Sequence, residues 1–83
     1  MFDYSKLLGR IKEKFGSNSN FALSMKISER SMSLKLNNKV EWKQNEIARA
    51  KKLLNIADEE LYYYFFEEKV QNDWTMFAEV KKD

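Results

Sequence analysis

The spacing of apolar residues between Asn18 and Asn38 constrains this chain more than any other feature. In the run NSNFALSMKISERSMSLKLNN, Phe21, Ala22 and Met25 stand at i, i+1 and i+4, one face of a short helix. Met32 and Leu36 repeat at i, i+4 on a second helix, which directs Glu29, Arg30, Ser31, Ser33 and Lys35 elsewhere. Ser28 suits the start of that second helix, because its hydroxyl can accept from a backbone N–H left without an intrahelical partner. A small residue in the first helix and a polar outward face on the second are the layout of a helix-turn-helix pair.

The flanks extend this pair into an all-helical domain. Asp3 is placed to cap a first helix whose stripe is Tyr4, Leu7, Leu8, Ile11 and Phe15, at i, i+3, i+4, i+7 and i+11. Its opposite face carries Lys6, Arg10, Lys12 and Lys14, read mainly as a solvated face. Gly16 stands where a left-handed residue ends that helix. Asn37 and Asn38 end the third helix, since asparagine tolerates the left-handed region better than most residues. Trp42 follows in a loop as a lid over the core. A fourth helix spans about 43–54, with Ile47, Ala50 and Leu54 inward, Arg49, Lys51 and Lys52 outside, and Asn55 as its stop.

The acidic residues from Asp58 favour the start of a short fifth helix. It carries Leu61 and the run Tyr62, Tyr63, Tyr64, Phe65, Phe66. Five consecutive aromatics cannot all face one side of a helix, so some pack inward and others are left for a partner chain. Residues 1–66 thus form the helical domain and 67–83 an aromatic extension. In that extension Val70, Trp74 and Phe77 have helical spacing, while Trp74, Met76, Ala78 and Val80 alternate as in a β-hairpin. Both readings stay open.

Composition bounds the chemistry. Eighty-three residues make one small domain, and 43% hydrophobic content is enough for a core. The chain holds no cysteine and no histidine. Thiolate chemistry, the commonest general base and the commonest transition-metal ligand are therefore missing, and no catalytic residue, metal site or cofactor is expected. No apolar run approaches the roughly 18 residues that span a bilayer, and no signal-peptide pattern is present. A cytoplasmic protein, with no membrane and no small-molecule substrate, is expected. The net charge of +2 conceals an asymmetry. Up to Lys52 there are twelve Lys/Arg against five Asp/Glu, and from Leu53 three against eight. A basic front and an acidic back suit a protein that holds a polyanion with one face and something else with the other.

The run FALSMKISERSMSLKLNNKVEWKQNEIARAKKLLNI resembles the helix-turn-helix domain of phage Cro and repressor proteins, the xenobiotic-response-element-like class, and FDYSKLLGRIKEKFGS looks like the first helix of a phage-encoded branch. The resemblance covers roughly residues 2 to 66 and is carried most specifically by S-x-S-x-K-L-N-x-K at Ser31 to Lys39. It implies a five-helix, lambda-repressor-like domain that regulates transcription by binding double-stranded DNA. The helix over 28–37 would then lie in the major groove, with Ser28, Glu29, Arg30, Ser33 and Leu34 at positions that reach bases. Arg30 can donate twice to guanine, Glu29 can accept from cytosine, and Leu34 can touch a thymine methyl. Glu29 has an alternative role in orienting Arg30 or favouring its own helix start. Phosphate contacts would come from Asn18, Asn20, Lys35, Asn37, Asn38, Lys39 and Lys43; for Asn37 and Asn38 a helix end alone is the competing reading. The chain departs from the family where glycine is usual, at Lys26 in the turn and at Asn38.

One domain of this size reads about half an operator, so a homodimer is expected, with Tyr62, Tyr63, Phe66, Trp74 and Phe77 as its interface. The alternative on the same scaffold is a phage-encoded protein-interaction module, an antirepressor or an inhibitor of a host protein.

Overall fold

The first helix has Tyr4 and not Asp3 at its N-cap; Asp3 stands one residue before it and its carboxylate accepts the Ser5 N–H at 3.0 Å. In the computed structural model, which describes residues 1–69, the elements are α1 (Ser5–Phe15), α2 (Asn18–Met25), α3 (Glu29–Leu36), α4 (Gln44–Leu54), a 3-10 turn (Asp58–Glu60) and α5 (Leu61–Phe65). The five-helix, all-α expectation therefore holds. The helix-or-hairpin alternative, Trp74 and Phe77 fall outside the described residues.

The core forms where the apolar stripes of α1, α2, α3 and α4 converge. Leu7, Ile11, Phe21, Met25, Met32, Ala50 and Leu54 are almost wholly buried, and Phe15 packs its ring on Phe21 at 5.3 Å between centroids. Ala22 is buried where α2 meets α3, so a larger side chain there would overpack the crossing. One member of the expected α1 stripe is misplaced: Leu8 is 38% exposed, at the rim of a groove between α1 and α3. Tyr4, Leu7 and Ile11 of that stripe are buried as expected, and Phe15 is half-buried.

Three helices end in one backbone motif, and none of the three uses glycine. Lys26, Asn38 and Asn55 lie in the left-handed region at φ 61, 63 and 54. Each donates its N–H three residues back, and the next residue donates five back: Ile27 to Ala22, Lys39 to Leu34 and Ile56 to Lys51, at 2.8–3.0 Å. This double closure is the Schellman motif, which satisfies carbonyls the helix cannot. The remaining carbonyls are met from afar. Arg10 donates to Leu54 O at 2.9 Å and Asn55 O at 3.2 Å, capping α4, and Arg49 donates to Met25 O at 2.6 Å, capping α2. Arg10 and Arg49, read from the sequence as lying on outer faces, are thus structural clamps between helices.

The aromatic run divides as expected. Tyr64 and Phe65 enter the core, while Tyr62, Tyr63 and Phe66 stay outside. Trp42 closes the core edge-on to Phe65, 5.1 Å between centroids, and its indole N–H is buried without a hydrogen-bond partner. Burial pushes the Tyr4 phenol above its ordinary range. Residues on either side of the domain then meet: Phe2 and Glu68 form an isolated antiparallel bridge.

Candidate interaction surface on the third helix

The α2–turn–α3 unit is built by local chemistry at each end. Ser17 caps α2 by accepting the Asn20 N–H at 3.1 Å, and Ser28 caps α3 by accepting the Ser31 N–H at 3.1 Å. Lys26 takes the left-handed turn conformation for which glycine is the default. The geometry is compatible with a helix-turn-helix, with α3 presented on the surface.

The residues expected to reach bases do come together on one side of α3. Glu29, Arg30 and Ser33 are exposed there, Ser28 flanks them, and Leu34 is half-buried. Glu29 and Arg30 have no ion-pair partner among the described residues, so both can meet a ligand. Ser33 is partly engaged, its carbonyl accepting the Asn37 amide at 2.8 Å.

The residues expected to hold phosphates divide differently. Asn18, Lys39 and Lys43 are exposed. Four others bond within the chain, Asn20 and Asn37 at the surface and Asn38 and Lys35 in more buried positions. Asn20 donates to Phe15 O at 2.9 Å and Asn37 to Ser33 O, each closing a helix end. Asn38 bonds the backbone of Phe2 twice, accepting its N–H and donating to its carbonyl at 2.9 Å each. Lys35 is 4% exposed; its ammonium meets Glu46 at 3.0 Å and donates to Glu41 O at 3.2 Å. Burial pushes the Glu46 carboxyl up, but the Lys43 N–H, the Lys35 hydrogen bond and the Lys35 and Lys43 charges together hold it below its ordinary value.

With Lys35 neutralised internally, the outward face of α3 carries one anion and one cation. Beside it runs a groove between α1, the start of α2 and α3. Leu8, Met32 and Leu36 line its apolar part; Asn18, Glu29 and Asn37 line its polar part. Leu23, 78% exposed, adds an isolated apolar side chain on α2. Neither the groove nor the internal uses of Lys35 and Asn38 can be read from the sequence, because each depends on residues far apart in the chain.

An all-helical domain of this size with an open α3 face defines the class structurally. The chain belongs to the family described as Protein of unknown function (DUF739), whose pattern matches residues 1–68. It is similar to the modulator of repression (MOR) of the temperate bacteriophage TP901-1 from Lactococcus lactis, known from a solution structure. The two share 50% sequence identity and superpose with a TM-score of 0.72, over 84% of this chain and 95% of that one. No curated protein matches the chain. Among the described residues no helix is long and apolar enough to cross a membrane.

Proposed function

We propose that this protein modulates transcriptional repression by docking its α2–α3 surface onto a partner protein, a DNA-binding repressor. The observation that carries this reading is the internal use of Lys35 and Asn38. A helix lodged in a DNA groove works within a ring of phosphate donors, which supply most of the affinity. Here four of seven candidate donors close helix ends or pair within the domain. What remains on α3 is Glu29 and Arg30, one charge of each sign, beside a groove lined by Leu8, Met32 and Leu36, which suits a protein side chain flanked by opposite charges. The similarity to a phage modulator of repression supports a regulatory role of this kind. Lacking histidine and cysteine, the chain is read as a binding protein and not as an enzyme.

A second reading is sequence-specific binding of double-stranded DNA, as a homodimer and in the manner of a Cro repressor. Arg30 favours it, exposed in the first turn of α3 with geometry suited to guanine. Calorimetric titration against the repressor of the same phage, beside shift assays on operator and random DNA across a salt series, separates the two. Saturable heat with the repressor, and DNA binding no better on operator than on random sequence, is expected. Absence of that heat together with tight, salt-sensitive operator binding would overturn the protein reading in favour of the second.

A further inference from the structure

The two ends of the described chain meet beside the far end of α3. Residues 1–3 run antiparallel to residues 67–69, with the Asp3 N–H donating to Glu67 O at 2.7 Å and the Lys69 N–H to Met1 O at 3.0 Å. This pairing leaves the N–H and carbonyl of Phe2 facing the opposite way, since successive residues of an extended chain alternate. The Asn38 side-chain amide takes both of them. It acts as a third strand one residue long, laid along the free edge of a two-stranded strap.

Asn38 is also the left-handed residue of the Schellman end of α3. Its N–H closes Lys35 O, and the Lys39 and Val40 N–H groups close Leu34 O. Holding its side chain therefore holds the residue that sets the last turn of α3. In the other direction, a strap of two three-residue strands is far too short to be stable alone. The exposed contact of the Met1 ammonium with Glu68 at 3.5 Å adds little to it. Strap and helix end thus depend on one another through a single amide.

We propose that the strap is a conformational control on α3: closed, it locks Asn38 and the last turn; drawn open at residues 67–69, it releases both. Because such coupling is reciprocal, a ligand that stiffens the end of α3 also tightens the strap. The consequence for repression rests on α2–α3 being the working surface, whereas the coupling is read on the free protein and fails or stands independently of that reading.

Amide hydrogen exchange on the full chain tests it. Lys69→Pro removes one strap donor and no hydrogen bond of α3. In that variant the Phe2, Lys39 and Val40 amides are expected to exchange about tenfold faster while the amides of α2 and α4 keep their protection. Asn38→Asp keeps the acceptor for Phe2 N–H and deletes the donor, so the Asp3 and Lys69 amides are expected to open from the other side. Loss confined to Asp3 in the Lys69→Pro variant, with Lys39 and Val40 unchanged, overturns the proposal. Should Lys69→Pro unfold the whole domain, Asn38→Asp decides: unaltered exchange at Asp3 and Lys69 sinks the coupling, and acceleration supports it.

Discussion

Lys35 and Glu46 meet at 3.0 Å with side chains only 6% and 12% exposed, and this pair joins α3 to the first turn of α4. Glu46 also accepts the Lys43 N–H at 2.8 Å, so one carboxylate starts α4 and neutralises the cation of α3. Removing one member of a buried pair strands the other, while replacing both with apolar side chains does not. Glu46→Ala is expected to cost about 3 kcal/mol, and Lys35→Met with Glu46→Leu to recover more than half of that loss. Urea midpoints at unchanged slope measure both. Equal destabilisation by the single and double changes would show that packing, and not charge, is the cause.

The same carboxylate predicts an acid limb. Held below its ordinary value of 4.5 in the folded chain, Glu46 contributes stability that is complete above that value and is lost as pH falls through its lowered one. Asp3, lowered by the Ser5 N–H, has the same sign. With no histidine in the chain, stability should stay flat between about pH 6 and 8 and fall in acid. Glu46→Gln should make the acid limb shallower in thermal melts across that series.

Two left-handed residues should answer glycine oppositely. At Lys26, whose side chain is exposed, Lys26→Gly removes a left-handed penalty of about 1 kcal/mol and should raise the melting temperature by roughly 4–8 °C. Asn38→Gly relieves less and loses two hydrogen bonds to Phe2, so a net cost of about 1 kcal/mol is expected. Differential scanning calorimetry of the two variants checks the signs.

Arg30 is the residue on which the working surface is expected to depend most. Arg30→Ala should weaken partner binding by about 2 kcal/mol if it anchors a protein interface. On an operator the loss would be about 1–3 kcal/mol and confined to one base pair. Leu8→Glu, which charges the groove without touching Arg30, should weaken only the protein complex. Titration calorimetry with each variant reads both effects.

The exposed Tyr62 and Tyr63 stack edge to face at 5.4 Å and are proposed, with Phe66, as a dimer contact. Sedimentation of the full chain should then give a dimer that Tyr62→Ser with Tyr63→Ser converts to monomer. A dimer that survives both changes would remove these rings from the interface.

What could be read from the sequence was what neighbours decide. Ser28 as a cap, Asn38 as a left-handed stop, Asn55 as a helix stop, and the inward face of α2 all follow from residue type and a period of 3.6. Leu8 obeyed the period and still lies at a rim, because burial depends on which helices cover α1 and not on α1 alone. Lys35, Asn38, Arg10 and Arg49 share a different reason. Each polar group finds a partner on another segment, and a charged residue on a helix looks equally like a solvated one or a clamp until that segment is placed. The candidate site suffered most from this: its exposed half, Glu29, Arg30 and Ser33, was visible, and its internal half was not.

The strap also bears on how the chain is made. Met1 and Glu68 are 67 positions apart, and Arg10 finds its carbonyls only at Leu54 and Asn55. During synthesis from the N-terminus, α1 can coil as soon as it emerges, yet it has nothing to clamp until α4 has followed, and residues 1–3 have no strand to pair with until residue 69. Closure of the domain is therefore a late event with large loops to shut, and such contacts slow folding. Residues 1–3 are made long before the strand that holds them.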